Sequence, residues 1–377
     1  MRALILNAEN KTASVQETVR PQPGSGEVLV RVHSVALNPV DALCVFNPIG
    51  KTGRVVGADF AGTVVESDSS TIKPGQRVGG FVQGANSLND RPGAFAEYVV
   101  SPSDLVWVVP DSMTFDQAAA VSLCALTAAQ ALFHRLGLPS PFEWSNKSTD
   151  EAASTITGDL TFFVYGASTS VGLYAAQLLR AACEAKGIRL RLIGAASKKH
   201  FSMLKAAPYG YDALVDYRDP NWMEQTRQAA GSNGIRYSID CISEGETVKQ
   251  VVGVLTQGSK LAIVRSLEGG AWSSEGVDLN SLFYGAVWEG LGVDIAYENM
   301  VVPATKDSRS FAVAFYRWLS SSAALEANPI RLMPGGLDRI VADGFALLGP
   351  GSMTDRVQGR TESWMQPVRG EKLVYRV

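Results

Sequence analysis

Residues 160–187, LTFFVYGASTSVGLYAAQLLRAACEAKG, decide the fold. The opening LTFFVY is an apolar run without alternation, the pattern of a parallel strand covered on both faces. The closing stretch is an Ala- and Leu-rich helix that stops at Gly187. Between them lie Gly166, Ser168, Thr169, Ser170, Val171 and Gly172. Small residues there let the chain turn tightly and bring the first N–H groups of the helix close to an anion, where the helix dipole favours negative charge. The spacing departs from strict GxGxxG, so the loop alone also fits an ordinary strand-to-helix turn.

The surroundings decide between the two. IRLRLIGAAS (188–197), YDALVDYRDP (211–220), IRYSIDCI (235–242) and GSKLAIVRS (258–266) read as further strands, with a short helix at 199–210. Strand and helix alternate through roughly residues 126–300, which predicts a doubly wound α/β dinucleotide-binding domain with its pyrophosphate loop at 166–172. The second strand ends in GAAS without an acid to bond a ribose 2′-hydroxyl, and SKKH follows. Ser197, Lys198, Lys199 and His200 suit a 2′-phosphate instead, and Tyr217 with Arg218 stand at the end of the next strand to close over the adenine side. The expected cofactor is therefore NADPH. The alternative for Lys198 and Lys199 is a solvated pair at a helix start.

Toward the N-terminus the period changes. GEVLVRVHSVAL (26–37) alternates, and DFAGTVVES (59–67) and AFAEYVVS (94–101) are further strands punctuated by Pro and Gly. Residues 109–133 then form an Ala-rich helical pattern with Asp111, Ser112 and Thr114 as polar starters. Residues 138–159 are polar and aperiodic, a linker or flexible loop. Beyond residue 300 a helix is expected around 308–327, and the strand GEKLVYRV (370–377) is expected to return to the first domain. The division is thus a β-rich domain at 1–125, completed by 301–377, and a cofactor domain at 126–300.

Composition removes other classes. A chain of 377 residues with 46% hydrophobic and 19% charged residues is globular and long enough for two domains. A net charge of -3 leaves no basic footprint for nucleic acid. Four scattered cysteines without a CxxC pair read as reduced thiols, and no run of eighteen apolar residues occurs, so a cytoplasmic protein is expected.

The ordered motifs LNPVD (37–41), GADFAGTVV (57–65), KPGQRV (73–78), GAFAEYVV (93–100), AAAVSLCALTAAQALF (118–133), VYGASTSVG (164–172), DYRDPN (216–221) and GEKLVYRV resemble the medium-chain dehydrogenase/reductase superfamily along nearly the whole chain. More narrowly, the chain resembles the free-standing enoyl reductases that act in trans with fungal highly reducing polyketide synthases. The resemblance implies a GroES-like β-rich substrate domain plus a Rossmann cofactor domain, and NADPH. It also implies a cleft that receives an acyl chain on a synthase acyl carrier protein.

Zinc is not expected. Ala58 stands in GADF where zinc-dependent members carry His, no cysteines cluster after Gly93, and His33, His134 and His200 share no ligand spacing. The chemistry implied is hydride transfer to the β-carbon of an unsaturated thioester and protonation of the α-carbon. Thr127 matches a family threonine whose hydroxyl could bond cofactor or thioester; a capping or packing Thr is the alternative. Val40, Asp41, Ala42 and Leu43 match the segment at the nicotinamide end. Relatives carry Lys or Tyr where this chain has Leu43, which can neither donate a proton nor hold an oxyanion. The proton is then expected from solvent or from another group, Asp41 or Thr127. Arg265, Ser266, Val368 and Arg369 complete the expected cofactor contacts by position. Phe283, Tyr284, Gly285, Ala286 and Val287 are the expected wall of an apolar substrate channel, with plain core packing as the alternative. Pro303 and nearby charge blunt the edge that superfamily dimers pair, so a monomer is expected. Two further readings stay open: a non-redox isomerase or cyclase on the same fold, and a non-catalytic docking partner of the synthase. A stand-alone quinone or enone reductase is a remaining alternative.

Overall fold

The structure is a computed structural model and describes residues 1–85, 90–144, 156, 158–285, 287–296, 301–322, 325–353, 356 and 360–377. The chain divides into two compact units: Met1–Leu123 with Trp288–Ala323 and Ala327–Val377, and Cys124–Val287 with Ala324–Glu326.

The first unit is built on β1 (Arg2–Asn7), β2 (Thr12–Glu17), β3 (Glu27–Ala36), β4 (Asp59–Ser67), β5 (Arg77–Phe81), β6 (Tyr98–Pro102) and β7 (Val106–Val108). β1 and β2 form an antiparallel hairpin. β3 is long and alternates strongly enough to be shared: one edge pairs with β4, and its N-terminal half pairs with β6 on the other. Its C-terminal half pairs with the last strand of the chain, in the register Val374↔Ala36 and Arg376↔Ser34. Val30, Val35, Phe60, Val78, Phe95 and Tyr375 fill the core between these strands. Asp116 fixes the junction from inside, accepting from Ser34 Oγ (2.6 Å) and from Arg376 Nη2 (2.7 Å).

The expected long helix at 109–133 is interrupted. Thr114 caps a short helix, Phe115–Ala119, and a second helix begins at Ser122 and runs to Ala129, continued by a π-helical turn over Gln130–Arg135. The reason is local. The Leu123 N–H, which a continuous helix would spend within itself, donates to the buried carboxylate of Asp59 (2.9 Å).

The second unit carries β8 (Asp159–Tyr165), β9 (Arg189–Ala195), β10 (Ala213–Val215), β11 (Tyr237–Asp240), β12 (Lys260–Ile263) and β13 (Leu282–Tyr284). All pair in parallel, in the order β10-β9-β8-β11-β12-β13. The order reverses between β8 and β11, which makes a topological switch point at the carboxyl ends of those strands. The helix Ser170–Lys186 follows β8 and ends on Gly187 at φ 64°, a left-handed cap that glycine takes without strain. β13 was not legible as a strand, being three residues long and followed directly by Gly285. In the first unit, β14 (Ile295–Ala296) pairs antiparallel with β15 (Val301–Val302). The helix Lys306–Ser322 follows. β16 (Ile330–Leu332) then lies parallel to β17 (Lys372–Arg376). Among the described residues no helix is long and apolar enough to cross a membrane.

Candidate active site

The loop between β8 and its helix is closed on itself before any ligand is considered. Gly166 sits at φ 76°. Gly166 N and Ala167 N both donate to Ala195 O (3.1 and 2.9 Å), tying the loop to the end of β9. Thr169 is the N-cap, accepting from Gly172 N (3.1 Å) while its hydroxyl donates to Gly166 O (2.8 Å). A Cβ on Gly172 would stand 2.5 Å from Gly166 O, so a side chain there would push the loop apart. Ser168, Thr169, Ser170 and Val171 thus lie together at the positive end of a long helix, a fit for a pyrophosphate.

On the β9–β10 side, Ser197, Tyr217 and Arg218 come together. Arg218 Nη1 donates to Ser197 Oγ (2.6 Å), its guanidinium lies 4.6 Å from the Tyr217 ring centre, and Ser197 Oγ is 3.4 Å from the Tyr217 hydroxyl. Lys198, Lys199 and His200 form the 3-10 turn that follows Ser197. The group is solvent-facing and has no carboxylate at the end of β9; its nearest acid is Asp216 at the end of β10, 3.8 Å from Arg218 Nη1.

The other expected residues of this unit fall in several places. Thr127 is half-buried on the helix Ser122–Ala129. Ser266 caps the turn Leu267–Gly270, accepting from Gly269 N (3.1 Å). The guanidinium of Arg265 is already engaged, pairing with Glu244 and donating to Gly269 O. Phe283 is half-buried under Lys260 Nζ (5.5 Å to the ring centre), and Tyr284 is exposed on the edge strand β13. Gly285 packs against Gln130, whose Oε1 would lie 2.8 Å from an added Cβ, and Val287 is buried. Ala286 lies outside the described residues, as does most of the expected linker.

In the first unit, Val40, Asp41, Ala42 and Leu43 lie on the helix Pro39–Phe46. Pro39 occupies its first turn, where a missing N–H costs nothing. Asp41 stands at N3 and its carboxylate accepts from Asn38 N (2.8 Å). The Asn38 side chain turns inward: its Nδ2 donates to Asp59 Oδ2 (3.0 Å), and its Oδ1 accepts from Lys372 Nζ. Lys372 also pairs with Asp59 (3.2 Å), with both side chains buried. Two carboxylates and one ammonium therefore lie buried together at the start of this helix. Burial pushes Asp41 up to about 7, helped by the negative charge of Asp59 and opposed by the Asn38 N–H and by Lys372. Burial also raises Asp59, against the pull of Lys372 and of its three hydrogen-bond donors. Leu43 is half-buried on the same helix.

Val368 is half-buried and Arg369 exposed. The segment carrying them is fastened by Arg331, which donates to Trp364 O (3.1 Å) and Pro367 O (3.1 Å) and pairs with Glu371. Glu371 in turn accepts from Arg369 N (2.7 Å). Among the described residues no group of three His, Cys, Asp or Glu is placed to hold a metal ion.

Similar proteins align with the whole chain. Residues 24–111 match the alcohol dehydrogenase GroES-like domain, and residues 170–286 match the zinc-binding dehydrogenase family. The trans-enoyl reductase traG of Penicillium crustosum is 31% identical over 385 aligned positions, covering 100% of this chain and 96% of that one. The chain belongs to the trans-enoyl reductase family. A second relative, the trans-enoyl reductase caaB of Aspergillus niger, is 38% identical over 60% of this chain and 59% of its own length. Among solved structures, the CurK enoyl reductase has the same fold, with a TM-score of 0.71 at 18% identity over 100% of this chain and 98% of that one. So has a mycobacterial protein crystallised with NADPH, with a TM-score of 0.66 at 20% identity over both chains in full. With this medium-chain dehydrogenase/reductase fold, the chain carries Ala58 and Asp59 in GADF, and the cation beside Asp59 is Lys372.

Sequence reasoning missed that buried network. Its signal was present: an Asp at the head of the strand at 59–67 and a Lys at the head of an apolar C-terminal strand, charges that a buried position tolerates only as a pair. It also missed the hydrogen-bonded cluster of Asp240, Ser243 and Thr247 at the end of β11.

Proposed function

We propose that this chain is an NADPH-dependent enoyl reductase that acts in trans on an α,β-unsaturated thioester held by the acyl carrier protein of a polyketide synthase. The observation that carries the reading is the end-to-end match to trans-enoyl reductases, supported by the hydrogen-bonded loop at 166–172 and the Ser197–Arg218 cluster. NADPH, when bound, supplies the hydride for the β-carbon. Ser168–Val171 would hold the pyrophosphate, Ser197, Lys198 and Arg218 the 2′-phosphate, and Tyr217 the adenine side. Thr127 would hold the thioester oxygen. Leu43 cannot protonate the α-carbon, so the proton comes from solvent or from a hydroxyl such as that of Thr127. Asp41 is less suited to that role, because its carboxylate caps its own helix. We read the protein as a cytoplasmic monomer.

The test is NADPH oxidation at 340 nm with an enoyl thioester and the cognate synthase. Product formed without NADPH would replace this reading with an isomerase or cyclase, and synthase binding without turnover would replace it with a docking partner. Two variants sharpen it. Alanine at both Lys198 and Arg218 is expected to weaken NADPH about tenfold or more while leaving NADH within about twofold, because charge-assisted bonds to the 2′-phosphate are lost; calorimetry with both nucleotides measures it. Leu43→Lys is expected to raise the reduction rate, by up to about 10²-fold if α-protonation limits turnover; steady-state kinetics reads this directly.

A further inference from the structure

Three non-glycine residues among those described adopt positive φ: Lys11, Ser243 (51°) and Ala271 (46°). Lys11 lies in the exposed turn between β1 and β2. The other two lie in the loops that leave the carboxyl ends of β11 and β12, one on each. A side chain held at positive φ costs on the order of 1 kcal/mol or more and persists only when its surroundings enforce it. At Ser243 the enforcement is visible. Asp240 Oδ1 accepts from both Ile242 N (2.9 Å) and Ser243 N (3.0 Å), and Asp240 Oδ2 accepts from Thr247 Oγ1 (2.6 Å). The Ser243 hydroxyl donates to Asp240 O (2.9 Å) and accepts from Val264 N (3.1 Å), so one fully buried oxygen joins the end of β11 to the end of β12.

The two loops are zipped together beyond that point. Ser273 N donates to Gly245 O (2.8 Å) and Arg265 pairs with Glu244, while within the β12 loop Trp272 Nε1 donates to Arg265 O (3.2 Å). Gly270 lies so close that an added Cβ would stand 2.0 Å from Ser243 O. The β11 loop also presses on the phosphate loop: a Cβ at Gly166 would meet Ile242 Cγ1 at 3.2 Å and Cys241 Cβ at 3.4 Å. Strand order places this platform on the far side of the switch point from the Ser197–Arg218 corner. A dinucleotide whose adenosine lies over β9 and β10 must lay its other half over β11 and β12.

We infer that Ser243 is a positioning residue for the nicotinamide half of the cofactor. Its hydroxyl locks the strained loop 241–247 to the end of β12, and the platform so formed receives that half without first having to be ordered. Asp240 and Thr247 hold Ser243 in place. This rests on the cofactor reading given above, and the two can fail separately.

The experiment uses the full chain and two nucleotides: NADPH, and adenosine 2′,5′-bisphosphate, which carries the adenine half alone. Ser243→Ala is expected to weaken NADPH about tenfold, the effect of one lost buried hydrogen bond, and to leave the bisphosphate within about twofold. Thr247→Val should act in the same direction, and Thr247→Ser, which restores the hydroxyl, should bind as the parent does. If Ser243→Ala proves unable to fold, the Thr247 pair decides alone. Equal weakening of both nucleotides, or of neither, overturns the role of Ser243 while leaving the cofactor site intact. A parent protein that binds neither nucleotide overturns the cofactor reading, and this inference with it.

Discussion

Lys372→Met is expected to destabilise the first unit by about 3–5 kcal/mol, seen as a fall in its melting temperature of roughly 10 °C or more. The Asp59 carboxylate is fully buried, and Lys372 is the cation 3.2 Å from it. Methionine keeps the apolar stem and removes the charge, so the carboxylate must either stay ionised while buried or take up a proton near neutral pH. Both are costly. The Asn38 side chain, which accepts from Lys372 and donates to Asp59, loses its ammonium donor as well. The double variant Asp59→Asn with Lys372→Met removes both charges and is expected to recover most of the loss, because a buried ion pair contributes little over a neutral replacement while half of one is strongly unfavourable. A double variant no more stable than Lys372→Met would show that packing, and not charge, accounts for the effect.

Asp41→Asn is expected to change the pH dependence of stability. The buried group at the start of its helix holds two carboxylates and one ammonium, so only one carboxylate can be balanced. Asp41 keeps its proton up to about pH 7 in the folded protein, and an unfolded Asp releases it near 4. Between those values the folded state binds more protons than the unfolded one. Stability therefore declines as pH rises through this window, by an amount on the order of several kcal/mol. Asparagine keeps an acceptor for Asn38 N and does not titrate. The variant should unfold later than the parent at pH 8, match it near pH 4, and lose most of the slope between. Chemical denaturation at a series of pH values measures this. A slope unchanged by Asp41→Asn would assign it to another buried acid, Asp59 or Asp240.

Much of the second unit was legible because its signals are local. An apolar run, a small-residue turn and a helix closed by Gly187 lie next to one another in the chain, and each has a physical reason to be where it is. The Ser197–Tyr217–Arg218 corner was legible for a related reason, since parallel strands bring their carboxyl ends to one edge. The break at Ala120 and Val121 was not legible. Its cause is an acceptor on Asp59, 64 residues away in sequence, and nothing in the Ala-rich pattern records that. That Phe283 and Tyr284 lie on an edge strand was not legible, because three residues before a glycine give too little pattern to separate strand from loop. Asp41 looked chemically available in sequence. In the structure its carboxylate turns back onto the start of its own helix, a commitment visible only once Asn38 is identified as the N-cap.

The placement of β17 bears on how the protein is made. β3 is synthesised early, yet its C-terminal half waits for a neighbour that follows the entire second unit in the chain. Lys372, the partner of Asp59, arrives with that same strand. On the ribosome the second unit is complete while the first still has an open sheet edge and an unbalanced buried acid. A nascent chain stalled before residue 372 should therefore expose a sticky strand margin that calls on chaperones, and its protease resistance should appear first in residues 124–287.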